Sequence, residues 1–568
     1  MSKKLIILAF VSLLLVHCAG PNATSTPTAL PPSPTSSATS LPPTATPTPL
    51  PPTATPTPSP TATPRPLALW VDPATPTVLH DMVVAALPGW VNVDTPEQAD
   101  LRVGPGLSEA LAQWVYALVV PFPTLLDGVK WADVRRFWTG EAGALAEIVG
   151  DGQTMPTLFV TSETLAVLSR VWGAPSNMAP ISVTNTAEIV ERAWAARPRA
   201  WGIVPFDELV PKWKVLTVDG ANVLDKALDI KSYPLTVVIG AEGEGADKLV
   251  AALAPKGKLA TNRDTEQMTT LIMTGVTALV RGTAAKMEQK GILYPAEKVG
   301  ALLKAADITH ISNEVPFAKN CPPPDPKQES LVFCSSPAYI ELLRAVGTDI
   351  VELTGNHFQD YGSQATLDTL EMYRQEGWPY YGGGADLEDA RKPVVITDHG
   401  NQISFIGCNP VGPEYAWATE DRPGAAPCDF DYMHGEISRL KLKGVLPIVT
   451  WQYWEFYFYE PTAQQQLDFR GMVDAGAAIV SGSQAHHPQA IEFYKDGFIH
   501  YGLGNLFFDQ MRALGTRQEM IDRHTIYKGR HISTELFTYM LEDYCQPRPM
   551  TPEERAELLK AVFKASGW

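Results

Sequence analysis

Clustered positive charge is missing from this chain. Its 568 residues hold 45 Lys and Arg against 62 Asp and Glu, a net charge of −17, with no long basic run. Nucleic acid is therefore excluded as a partner, because binding a phosphate backbone needs clustered cations. Cysteine is scarce, six in all, and the spacings match no zinc site. The apolar run at the N-terminus, Leu5–Val16, is short of the roughly 20 residues of a spanning helix. What is present is globular in kind: 45% hydrophobic and 19% charged residues, in a length that implies two or three domains.

Lys3 and Lys4 precede the Leu5–Val16 run, which fits a signal peptide over residues 1–20. The run ends in Leu15-Val16-His17-Cys18. This resembles a bacterial lipoprotein lipobox, with His17 departing from the usual small residue. The resemblance implies lipidation of Cys18 and a membrane-anchored, extracytoplasmic protein. Many of the fifty prolines fall in residues 21–66, built almost entirely of Pro, Thr, Ser and Ala. Such a segment buries no core and is expected to be a disordered, extended stalk. Outside the cytoplasm cysteines can pair. Cys321 and Cys334 flank a proline-rich loop and are the first disulfide candidates; Cys408 and Cys428 flank a second irregular stretch, and Cys545 is left over.

Residues 67–240 alternate strand-like and helix-like stretches, which predicts α/β structure with a parallel sheet. Tyr116–Pro121, Trp131–Glu141, Ala200–Pro205 and Val215–Gly220 resemble phrases of the type II periplasmic solute-binding fold, its phosphate-binding branch in particular. The family's Ser/Thr-Gly-rich anion loop is not found; Val71-Asp72-Pro73-Ala74-Thr75-Pro76 stands there, and its two prolines remove N–H donors. Small-ligand binding and a spacer or docking role both remain open.

Residues 265–515 repeat a pattern of strand, polar loop, helix. The central stretch is Leu353–Gly362, where Gly355-Asn356-His357 follows the strand-like Thr348–Leu353 and precedes a helix over Gln364–Gln375. Ligand sites gather at the carboxyl ends of strands in open α/β sheets. The same reasoning places Asn313 and Glu314, Glu455, and His486 and His487 at one rim. Converging His, Asn and carboxylate groups suit a metal or a phosphate-ester site.

These phrases, with Gly382–Pro393, Gly476–Gln489 and Tyr501–Gln510, resemble the CapA family of capsule and poly-γ-glutamate synthesis. The family implies a calcineurin-like metallophosphatase α/β sandwich. Departures are plain. The first strand's usual Asp is Val276, the His-Trp-Gly-x-Glu phrase becomes Thr450–Glu455 without His, and one His of Gly-x-His-x-His is Gln484. The expected catalytic set is Glu314, Asn356, His357, Glu455 and His486, with Gln452, Gln484, His487, Arg391 and Asn505 for substrate. Glu314, Asn356, His357 and His486 are the residues left to hold one divalent metal. The family implies an anionic or sugar surface polymer as ligand, and other capsule-synthesis membrane proteins as partners. Both a hydrolase or transferase and a non-catalytic scaffold fit these residues. Residues 516–568 are expected to form an extension packing on the CapA domain, with Thr551 capping a helix.

Overall fold

The strand Glu109–Pro121 ties together the first half of the chain. The structure, a computed structural model, describes residues 65–568; the expected signal peptide, Cys18 and nearly all of the stalk lie outside them. The first part of Glu109–Pro121 pairs with Thr236–Gly243 and Ala260–Thr261, its last part with Ala200–Pro205 and Trp213–Val215. One strand thus serves two half-sheets, and its run Val115–Val120 is fully enclosed. The boundary expected at Gly240 falls inside a strand, and the chain stays in this sheet as far as Thr261. Gly240 sits at a bulge in that pairing. At Gly240 a Cβ would lie 2.2 Å from the Leu107 carbonyl oxygen, so only glycine fits.

Where an anion loop was sought, Val71–Pro76 leads into the helix Thr77–Ala86. The Thr77 N–H and hydroxyl both donate to the Glu163 carboxylate, at 3.2 and 2.9 Å, and Arg170 pairs with Asp72 at 2.9 Å. Each of these contacts bridges the two half-sheets.

The second half is an α/β sandwich. One sheet runs Tyr380–Tyr381, Ile350–Glu352, Ile308–Asn313, Met268–Thr277, Gln518–Tyr527, Arg530–Glu542, Gln546–Pro549. The other runs Val394–Asp398, Asn401–Cys408, Leu446–Gln452, Ile479–Ser483, Gly497–His500, Ile491–Tyr494. Residues such as Leu271, Met273, Phe405, Ile448 and Phe498 fill the space between them. Each such side chain contributes about 1.5–3 kcal/mol by leaving water. Helices including Gly362–Glu376 and Ala463–Ala475 cover the outer faces. The central strands Met268–Thr277, Ile308–Asn313 and Ile350–Glu352 are parallel, as are Asn401–Cys408, Leu446–Gln452 and Ile479–Ser483. Their carboxyl ends therefore share one rim.

Residues 516–568 do more than pack on this domain: Gln518–Tyr527 pairs directly with its first strand. Thr551 and Glu554 form the capping box of the helix Pro552–Ala565. The two halves are fastened by Arg555 to Asp127 (2.9 Å), Asn222 to Glu535 (2.8 Å), and Phe122 edge-on to Phe493 and Trp568. Among the described residues, no helix is long and apolar enough to cross a membrane.

Candidate functional site

The strand Ile308–Asn313 delivers Glu314 to the rim, and Ile350–Glu352 delivers the Gly355-Asn356-His357 turn beside it. Gly355 makes the approach possible, since a Cβ there would lie 2.5 Å from the Glu314 carbonyl oxygen. Leu446–Gln452 brings up Gln452 and then Glu455; Ile479–Ser483 brings up Gln484 and His486. Gln484 (φ +76°) and His486 (φ +51°) both lie in the left-handed region that non-glycine residues seldom occupy. These loops surround a cleft of about 1420 Å³ lined by Glu314, Asn356, His357, Glu455, Gln484 and His486, among others. The five expected catalytic residues thus come together.

Gln452 is buried beneath the floor, behind the lining residues Glu314, Asn356 and Gln484. Its amide nitrogen reaches Asn356 Oδ1 at 2.9 Å, Glu314 Oε1 at 3.1 Å, and Gln484 Oε1. One NH2 group has two hydrogens for these three oxygens. Glu314 Oε2 and Gln452 Oε1 are buried without a partner among the described residues. The floor is therefore rich in acceptors and short of donors.

His486 forms the wall. Asn505 gives its amide N–H to the Thr516 carbonyl (3.0 Å), which turns its oxygen toward His486 Nδ1 at 2.8 Å. The other nitrogen, Nε2, is 3.2 Å from Glu455 Oε1. With both nitrogens facing acceptors, the ring is held as an imidazolium. Burial opposes that charge, but Glu455, with Glu314 and Asn505, outweighs it and raises the His486 pKa. The hydrogen bond from His486 in turn holds Glu455 below the usual carboxylate range. On the opposite side His357 Nδ1 meets Asp360 Oδ2 at 2.6 Å, and here too burial is outweighed by the carboxylate, so the pKa is raised.

Three expected substrate contacts lie elsewhere. Arg391 stacks over Tyr432 at 4.7 Å, on a short helix outside the cleft. His487 turns away from its neighbour; Nδ1 donates to the Pro488 carbonyl at 2.7 Å, the ring meets Tyr459, and burial lowers its pKa. Asn505 sits behind His486 and acts through it. Two contributors carried no flag in the sequence. Asp360 binds His357, the Phe333 N–H (2.8 Å) and the Tyr415 hydroxyl (3.1 Å), joining three loops. Its position three residues after His357 was the available signal. Arg281 lies between Phe333 and Phe508, with a 2.6 Å bond to Asp509; nothing local marks it.

The donor set does not fit a resident metal. Val276 stands in an apolar cluster with Val315 and Phe508, so the first strand gives no carboxylate. Both nitrogens of His486 and Nδ1 of His357 are engaged. The point on which three oxygens converge holds the Gln452 nitrogen. Asp307, Asp398 and His399 gather away from the cleft, but the Lys226 ammonium already lies 2.7 Å from Asp307 and 3.2 Å from His399.

Residues 270–510, which carry these rim loops, match the profile of bacterial capsule synthesis protein PGA_cap. Over this stretch, less than half of the chain, the sequence is similar to the PGA_cap family. Capsule biosynthesis protein CapA of Bacillus anthracis is 28% identical over 257 residues, covering 44% of this chain and 62% of the relative. The chain thus spans about three fifths of that relative's length. Among solved structures, a 5'-nucleotidase precursor from Thermus thermophilus aligns at TM-score 0.30 and 14% identity, over 53% of this chain and 58% of that one. An ABC-type phosphate transport receptor from Vibrio cholerae aligns at TM-score 0.27 and 11% identity, over 34% and 94%. Within the matched region Val276 is apolar and Gln452 and Gln484 are neutral amides, so none of the three supplies a carboxylate or imidazole ligand.

Proposed function

We propose that this protein works at the cell envelope in making, exporting or anchoring a capsule-type polymer, and that the cleft is where the polymer is held. The reading rests on the convergence of Glu314, Asn356, His357, Glu455 and His486 on one cleft inside the PGA_cap region. The chemistry it supports is acid–base transfer on the polymer backbone. Glu455 accepts a proton from water or an incoming hydroxyl, the His486 imidazolium donates to the departing group, and Asn356 orients the chain. Poly-γ-glutamate, the product named for the family, is the first polymer to test. Turnover by the full-length protein should disappear in Glu455→Gln; a polymer panel left uncut by the wild type would sink the enzymatic reading.

A second reading is a scaffold that binds polymer without cutting it. The Gln452 nitrogen at the point where three oxygens converge favours it. Polymer retention by the wild type with no turnover, weakened in His486→Ala, is the outcome that selects it. Anchoring through a lipid on Cys18 completes both readings, and would place the protein beside other capsule-synthesis membrane proteins. Metabolic labelling with a radioactive fatty acid should mark the wild type and not Cys18→Ala.

A further inference from the structure

Only five aromatic side chains are exposed among the described residues: Tyr415, Trp454, Tyr457, Phe458 and Tyr544. All but Phe458 line the one cleft. They come from three separate loops, so a single sticky segment does not explain the clustering. Trp454 is 54% exposed and has no ring or hydrogen-bond partner within the described structure. The hydroxyls of Tyr415 and Tyr457 are tied to Asp360 (3.1 Å) and Glu455 (3.2 Å), which fixes the rings and leaves their faces available. Exposed apolar groups gathered in a concavity mark a ligand surface.

The charges lining this cleft do not suit a polyanion. Arg281 is committed to Asp509 at 2.6 Å, His486 to Glu455 and His357 to Asp360. Lys327 and Arg512 remain, on a wall that also carries Glu314, Glu329, Glu455 and Asp509. A neutral pyranose suits such a wall, and its C–H face packs on the electron-rich face of an aromatic ring.

Resting on the reading of this cleft as the polymer site, we infer that its ligand is a neutral glycan chain, with Trp454 as the principal stacking platform. The probes are cellopentaose, maltopentaose, chitopentaose and a poly-γ-glutamate of similar length, titrated calorimetrically into the full-length protein at low and high salt. The expected result is that one of the three oligosaccharides binds more tightly than poly-γ-glutamate. Its affinity should hold from about 50 to about 500 mM salt, because no ion pair is involved. Trp454→Ala should weaken it by about tenfold, as loss of an aromatic anchor does, while Trp454→Phe retains most of it. Trp454 is too exposed for its removal to threaten the fold, and circular dichroism checks this. Tighter, salt-sensitive binding of poly-γ-glutamate would overturn the inference and leave the polymer-cleft reading standing. Oligosaccharide binding indifferent to Trp454→Ala would also overturn it, and binding of none of the four would overturn both.

Discussion

Nε2 of His486 stands 3.2 Å from Oε1 of Glu455, and the same ring's Nδ1 is fixed by Asn505. The pair couples an almost fully enclosed imidazole to a carboxylate that is about half exposed. Its charge state therefore depends on pH from both sides. His486, raised above its ordinary 6.5, supports the fold fully below that value and ceases to as pH climbs through its folded pKa. Glu455, held below its ordinary 4.5, contributes above that value and loses its contribution as pH falls through its folded pKa. In Glu455→Gln the His486 titration followed by NMR should move down, because burial is then opposed mainly by Glu314. An unmoved titration would dissolve the pair.

Replacing the two rim glutamines should create what the wild type lacks. Gln452→His with Gln484→His supplies two imidazoles beside Glu314 and Asn356, a ligand set that suits Zn²⁺ or Mn²⁺. Elemental analysis after dialysis should find metal in the double variant and none at stoichiometric level in the wild type. A full equivalent of metal retained by the wild type would refute the assignment of Gln452 to the cation position.

Glu519 is fully enclosed on the strand Gln518–Tyr527, and neither carboxylate oxygen has a partner among the described residues. Burial pushes its pKa well above 4.5. A raised carboxylate favours the fold below its unfolded pKa and works against it increasingly as pH rises toward the folded value. Glu519→Gln should therefore raise stability at about pH 8, where the wild-type carboxyl is pressed to ionise, and change it much less near pH 4. Denaturant melts at the two pH values measure the difference.

Disulfides join Cys321 to Cys334 and Cys408 to Cys428, as the spacing led one to expect, and Cys545 is free and buried. The first staples the loop that presses Phe333 against His357, ring centroids 4.6 Å apart. Cys321→Ser with Cys334→Ser should cost about 3 kcal/mol by freeing a loop of this size in the unfolded chain, and should broaden the His357 resonance. The Cys545 thiol, pushed up to about 12 by burial, should stay silent toward thiol reagents until the protein is unfolded.

Much of this site could be read from sequence because parallel strands send their following loops to one rim. That geometry alone groups Asn356, His357, Glu455 and His486. It does not tell adjacent residues apart. His486 and His487 are both assigned to the site, one to catalysis and one to substrate, but backbone geometry points one into the cleft and the other behind it. Thr450 and Gln452 share a face of their strand; Thr450 ends inside the sandwich on the Tyr381 hydroxyl (2.8 Å), while Gln452, the last residue of the strand, turns its amide to Asn356. Asp360 has one near partner in His357, but its links to Phe333 and Tyr415 come from distant loops, as does the cage of Phe333 and Phe508 around Arg281. Long-range pairing of that kind leaves no local period to detect. The bulge at Gly240 misled for the same reason, since its demand for glycine comes from the carbonyl of Leu107.

The Glu163 carboxylate is seated on the first N–H of the helix Thr77–Ala86. The first turn of a helix presents unsatisfied N–H groups that draw anions. Here the anion is a side chain of the facing half-sheet, so folding itself fills the place and ties the two half-sheets together at that point.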